Sequence, residues 1–409
     1  MHFPKMQRRP ELDALRGLFL VWMTLTHLPT RMSDFVNQPF GFVSSAEGFV
    51  FLSALLVARI YSRQAMADEL GLRAKLWKRA LKIYGIHLLM LAFAFTVAAG
   101  LAIETHRAAI YNLLNFYIAH PWTAIVGSVL LLYCPPLLDI LPMYVIFLAA
   151  SPVVLSFGVR FGWRRLLAGS GVLWLAAQLG GREWLHGAVV RVTHLQIPLQ
   201  ETGAFNLLAW QAVWMMGLWL GAKSAAGEVP LKRLPVWTVG LSAAVCVFFV
   251  GVRHNWLGSK LTQETLAFQL DKWHIGPLRV VNLVAFSIVF YWLRRFLLPA
   301  VAVEPFLTLG KASLEVFCAH IVFVFIGLAL LYNDVAQLHG VTAIVLLTVT
   351  FTGLFLLAAN EVRKRTKDKL QGPGGKVGTA AKGVSAETMM RVGQEPLLES
   401  SVRPGSCSS

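Results

Sequence analysis

Arg16 and His27 stand eleven residues apart in one apolar segment, Asp13-Ala-Leu-Arg16-Gly17-Leu-Phe-Leu-Val-Trp-Met-Thr24-Leu-Thr26-His27, and so do Asp13 and Thr24. In an α-helix eleven residues are close to three turns, or ~16 Å of axis, so each pair shares a face. A charge deep in lipid costs several kcal/mol unless it faces protein or water. The segment therefore reads as a membrane-crossing helix that lines a polar path, with a cation near one end and an imidazole near the other. An imidazole so placed can act as a general base; it can also simply hydrogen-bond a neighbouring helix. Glu47, one turn into the next apolar segment, is expected at the depth of His27. A carboxylate there can fix the imidazole tautomer, although an ordinary ion pair is an equal reading. His27 and Glu47 are the catalytic candidates.

A second group is cationic. Lys78-Arg79-Ala-Leu-Lys82 opens the third apolar segment, and its cations lie one turn apart. Arg16, Arg79 and Lys82 together can clamp the phosphates of a cytoplasmic anion; attraction to anionic lipid heads explains Lys78 equally well. Candidates for substrate contact are Asp13, Asp139, Tyr144, Trp210, Gln211 and His320. Asp139 can instead cap the helix it precedes. Trp210 and Trp214 suit an interfacial aromatic belt as well as a sugar ring. His320, in mid-segment, suits a structural role as well as a polar path. Lys311 and Glu315 have i,i+4 spacing. His186, His194, His254 and His274 lie in loops without ligand spacing, so no metal is expected.

The elements that must hold these residues are apolar helices. Of 409 residues, 56% are hydrophobic and 14% charged, with a mean hydropathy of +0.61. That composition places the chain among polytopic membrane proteins. About ten spans are expected, near 13–29, 43–60, 81–101, 141–158, 165–179, 205–222, 235–252, 278–296, 312–332 and 341–359, each long enough for a hydrocarbon core of ~30 Å. Residues 122–133 suit a surface-lying or re-entrant helix, and residues 182–201 a polar loop. The net charge of +16 is explained by Lys and Arg in alternate loops, which puts both termini in the cytoplasm and His27 near the outer surface. No cleavage site follows the first segment, so it is expected to be retained. The four cysteines are scattered and suggest neither disulfides nor a zinc site. Residues 1–362 form the membrane domain; 363–409 read as a disordered cytoplasmic tail.

Four runs in this order resemble a known family. They are Asp13-Ala-Leu-Arg16-Gly17; Ser45-Ala-Glu47-Gly-Phe-Val-Phe-Leu-Ser53; Asp139-Ile-Leu-Pro142-Met-Tyr144; and Gly310-Lys311-Ala-Ser313-Leu-Glu315-Val-Phe-Cys-Ala-His320. The first run with its following His27 is similar to the signature helix of acyltransferase-3-type membrane proteins, with Ala54 where that family commonly has glycine. All four together resemble the OpgC proteins over about residues 10–360. The resemblance implies a multi-pass protein of the bacterial inner membrane that moves a succinyl group from cytoplasmic succinyl-CoA to hydroxyls of periplasmic glucans. The CoA phosphates would then sit at Arg16, Arg79 and Lys82, and His27, oriented by Glu47, would deprotonate the sugar hydroxyl. Transfer through an acyl-histidine uses the same residues. Thr24 and Ser44 are candidates for the oxyanion, and Arg31 for the succinyl carboxylate. Acetyl transfer to another envelope glycan, an anion or glycan transporter, and an assembly scaffold are the competing readings.

Overall fold

The computed structural model describes residues 9–228, 234–256, 266–332 and 336–371. Among them the regular elements are helices, apart from one isolated bridge between Thr30 and Leu338. The first five helices are α1 (Pro10–His27), α2 (Met32–Val36), α3 (Ser45–Ala67), α4 (Glu69–Phe93) and, after a π-helical turn, α5 (Ala99–Thr105). Three short helices follow: α6 (Ala108–Leu113), α7 (Asn115–Ala119) and α8 (Pro121–Val129). Then come α9 (Ile140–Phe161), α10 (Arg164–Gln178), α11 (Gly181–Thr193), α12 (Leu207–Ala225) and α13 (Val236–Arg253). The last five are α14 (Ala267–Leu270), α15 (Pro277–Val301), α16 (Phe306–Lys311), α17 (Ser313–Ile326) and α18 (Gly340–Gln371). One compact unit runs through Ala358 and a second begins at Ala359.

Local chemistry sets the helix starts. Proline at the first turn opens α1, α8 and α15, where its missing N–H has no partner to lose. Ser44 and Glu47 form a capping box at α3. Asp68 accepts from Gly71 N at 2.8 Å and starts α4 twelve residues before the expected 81. Arg79 and Lys82 are thereby well inside a helix rather than at its opening.

Seven helical stretches among the described residues are long and apolar enough to cross a membrane, and the protein is an all-α polytopic membrane protein. Of the ten expected spans, α1, α10 and α12 fall outside those seven. Glu11, Asp13 and Arg16 lie within α1. The 15 residues of α10 reach only ~22 Å. Three tryptophans and Gln211 lower the hydropathy of α12.

Two further expectations change. Residues 182–201 are not simply a loop, since α11 occupies most of the stretch with no buried residue, as a surface helix would. The final helix continues past 359 to Gln371, because Glu361/Arg365 and Lys364/Asp368 have the i,i+4 spacing that supports a charged helix. The remainder of the expected tail, with Cys407, lies outside the described residues.

Helices meet most closely at glycine. On α12, a Cβ at Gly217 would lie 2.5 Å from the carbonyl oxygen of Phe51, and one at Gly221 would meet that of Leu55. This Gly-x-x-x-Gly face lets α12 lie against α3 backbone to backbone. The same device joins α1 to α16: a Cβ at Gly17 would strike the Phe306 carbonyl, and one at Gly310 the Asp13 carbonyl.

Candidate functional site

The glycine contacts explain why two of the motif runs are needed together. Gly17 and Gly310 seat α1 on α16, and α17 follows α16 after Ala312. The face of α1 that this buries carries Asp13, Gly17, Leu20 and Thr24. The helix ends at His27, and α17 brings His320 opposite it. The Nδ1 of His27 lies 3.2 Å from Nε2 of His320, and the two rings stack with centroids 5.5 Å apart. His320 is wholly buried, whereas His27 is only half-buried. His27 is thus the more accessible member of the pair.

From this pair a line of aromatic contacts runs back toward Arg16. His320 meets Phe317 edge-on at 5.0 Å, Phe317 stacks with Phe49 at 6.3 Å, and the Arg16 guanidinium lies 5.9 Å from the Phe49 ring centre. The polar ends of the expected path are thus connected by a column of rings.

Glu47 does not take the partner expected for it. One carboxylate oxygen accepts from Arg279 Nε at 2.7 Å, and the other takes the Ser44 backbone N–H at 3.1 Å and the Ser44 hydroxyl. Glu47 and Arg279 are both 1% exposed. Two bonds from the capping box and an ion pair occupy the carboxylate, so His320 holds the position beside His27 that Glu47 was expected to hold. The sequence reading passed over Arg279. A charge inside an apolar span is the signal that marks it.

Lys272, in the loop before α15, is a second residue that the sequence reading missed. Its charge acts on His27, and it sits among Glu47, Arg279 and Asp139. Burial lowers its pKa from the usual lysine value; Glu47 opposes this, Arg279 adds to it, and Asp139 opposes it. Its ammonium lies 4.6 Å from the centre of the Trp273 ring. Asp139 does not cap α9. Its Oδ2 accepts from Ala204 N at 2.9 Å, which pins the loop before α12. Burial pushes its carboxyl up to about 6, against the Ala204 N–H and Lys272, which both lower it.

The other candidates scatter. Asp13 is buried at the opposite end of α1 from His27, ~21 Å along the axis, which is too far to touch the same sugar hydroxyl. Tyr144 is buried edge-on against Trp214 at 5.1 Å. Trp210 is fully buried, with its indole N–H on the Trp273 carbonyl at 3.1 Å, so its ring offers no open face to a sugar. Gln211 bonds Ser170 through both amide atoms and joins α12 to α10. Thr24 donates to the Leu20 carbonyl at 2.8 Å within its own helix. Arg79 is half-buried and Lys82 exposed on α4, which lies mainly against α9, while α1 lies against α16 and α3. The structure does not gather them with Arg16. Among the described residues no three His, Cys, Asp or Glu side chains cluster as metal ligands would.

A family model described as OpgC protein matches residues 8–366, most of the chain. The chain belongs to the OpgC family. Membership implies a membrane acyltransferase for periplasmic glucans. No curated protein and no solved structure matches the chain. The OpgC match begins just before α1 and ends within α18, so it includes His27, Glu47, Lys272, Arg279 and His320.

Proposed function

We propose that this OpgC protein moves a succinyl group from succinyl-CoA in the cytoplasm to a hydroxyl of a glucan in the periplasm, across the inner membrane. The half-open His27–His320 pair carries this reading. His320 Nε2 accepts from His27 Nδ1–H, which leaves the lone pair on His27 Nε2 for the acceptor. His27 takes the proton of the sugar hydroxyl, and the oxygen attacks the thioester carbonyl. When the tetrahedral intermediate collapses, the C–S bond breaks and the CoA thiolate leaves with the proton that His27 held. Direct transfer is preferred to an acyl-histidine because one nitrogen of His27 is already engaged.

Arg16 is the cation at the inner end of the ring column, so the donor phosphates sit on its side and the pantetheine arm runs beside Phe49 and Phe317. Arg79 and Lys82 serve, on this reading, as a more distant attraction for the same anion. Lys272 is better placed than exposed Arg31 for the succinyl carboxylate, since its charge already acts on His27. Both termini then lie in the cytoplasm.

Mass spectrometry of periplasmic glucans tests the reading. Cells with the chain should carry a succinyl increment that is absent without it and absent with His27→Ala. Glucans of unchanged mass in the presence of the chain would sink it. An acetyl increment would replace only the donor.

A further inference from the structure

A cleft of about 460 Å³ opens beside Lys272, lined by Arg182, Gln200, Phe268, Asp271, Trp273 and His274 among others. Its size is that of a small-ligand site, and none of the steps above uses it. The walls are built. Arg182 donates to the carbonyls of Leu199 and Gly203 and to the Thr202 hydroxyl, at 3.3, 2.5 and 3.1 Å, and so holds the loop before α12 in place. Asp271 Oδ2 accepts from His274 N and faces His274 Nδ1, both at 2.7 Å, which fixes the opposite wall. The Trp273 carbonyl receives the Asn206 N–H and the Trp210 indole, each at 3.1 Å, while the Trp273 side chain remains 37% exposed.

The lining distinguishes between ligands. Arg182 is opposed by Asp271 and Glu183, which also line the cleft, so a polyphosphate meets more negative than positive charge. Flat apolar rings from Trp273 and Phe268 beside a guanidinium, a carboxylate, an amide and an imidazole instead suit a neutral sugar. Pyranose C–H faces lie on rings, and hydroxyls both donate and accept. Lys272 and Trp273 are consecutive: the Lys272 ammonium touches the Trp273 ring, and its charge acts on His27. Lys272 thus links Trp273, a wall of the cleft, to the surroundings of His27.

We infer that this cleft is the acceptor subsite, in which Trp273, Gln200 and their neighbours hold a stretch of glucan next to the one presented to His27. The inference rests on the acyltransferase reading for its consequence but not for its binding. The test uses the full chain in lipid nanodiscs, with the parent, Trp273→Ala, Trp273→Phe and Gln200→Ala. Gln200 is exposed, so its change leaves folding intact. At saturating succinyl-CoA, Trp273→Ala should raise the KM for glucan at least tenfold and Gln200→Ala severalfold. Trp273→Phe should stay within threefold of the parent, and the KM for succinyl-CoA should not move in Gln200→Ala, which leaves Lys272 its ring contact. An unchanged glucan KM in Trp273→Ala and Gln200→Ala, or a raised donor KM in place of a raised glucan KM in Gln200→Ala, overturns the assignment. Saturation-transfer NMR with a glucose oligomer is the separate arm. Signal in the parent that weakens in both variants supports the subsite, and equal signal in all, or none in the parent, refutes it. Binding without any acyl transfer by the parent would leave the subsite standing and remove the enzymatic reading.

Discussion

Two polar pairs join distant parts of this chain, and they differ in how far they are closed. Glu47 and Arg279, 232 residues apart, are sealed at 1% exposure, and the acid has further bonds from Ser44. His27 and His320, 293 residues apart, share one polar contact and a ring stack, and His27 is partly exposed. A sealed pair ties α3 to α15, and both oxygens of its acid are already engaged. An incompletely enclosed pair retains a nitrogen for chemistry. Depth in the membrane was therefore a poor guide to which acid would serve His27, because the capping box had already claimed Glu47.

The comparison predicts different failures for the two pairs. Breaking the closed one has the largest expected effect. Arg279→Met leaves Glu47 buried without its countercharge and should destabilise the protein by about 3–5 kcal/mol, read as loss of monodisperse protein in detergent. Adding Glu47→Gln should restore most of the yield. If Arg279→Met folds normally but loses transfer, the pair belongs to the chemistry and the contrast fails.

The open pair should respond in rate rather than in folding. His320→Leu removes the acceptor for His27 Nδ1–H and should slow transfer by about 10²-fold at nearly parental yield. His320→Gln supplies an amide oxygen in its place and should recover most of that loss, with the pH–rate profile returning toward the parent's. Equal rates in both variants would make His320 simple filling.

A smaller effect is expected at Asp139, which accepts from Ala204 N in the wall of the cleft. Its folded pKa of about 6 exceeds the ordinary 3.8, so the folded protein binds this proton more tightly than the unfolded chain. The resulting stability is full below about pH 4 and is lost as pH rises through 6. Asp139→Asn keeps an acceptor for Ala204 N–H and does not titrate. The thermal stability of the parent should fall relative to this variant between pH 5 and 8, and parallel curves would refute the assignment.

Much of this architecture was legible because lipid-spanning helices announce themselves as long apolar runs, and most of the ten expected segments became helices within a few residues. The helix α11 was not legible, since none of its residues is fully buried and its apolar residues mark no core-facing stripe. Within the candidate site, the placing of Arg16 and His27 toward opposite ends of one helix could be read because their spacing is local. Their partners could not. His320 comes from α17 and Lys272 from a loop, and only the seating of Gly17 against Phe306 and of Gly310 against Asp13 decides what stands opposite His27. Two signals were present, one misread and one passed over. Ser44-Ser45-Ala46-Glu47 is a capping-box spacing that assigns Glu47 to the backbone, and Arg279 is a charge within a span. Trp210 and Gln211 were plausible sugar ligands by type, but burial against Trp273 and Ser170 committed them to the scaffold.

In the proposed mechanism His27 performs the proton transfer. Its most direct test is the rate of CoA thiol release from succinyl-CoA in the presence of glucan, measured on purified protein in nanodiscs for the parent and His27→Gln, with folding checked by the same thermal melt. A fall of about 10²–10⁴-fold with an unchanged melt is expected. A variant that releases thiol within twofold of the parent would contradict it.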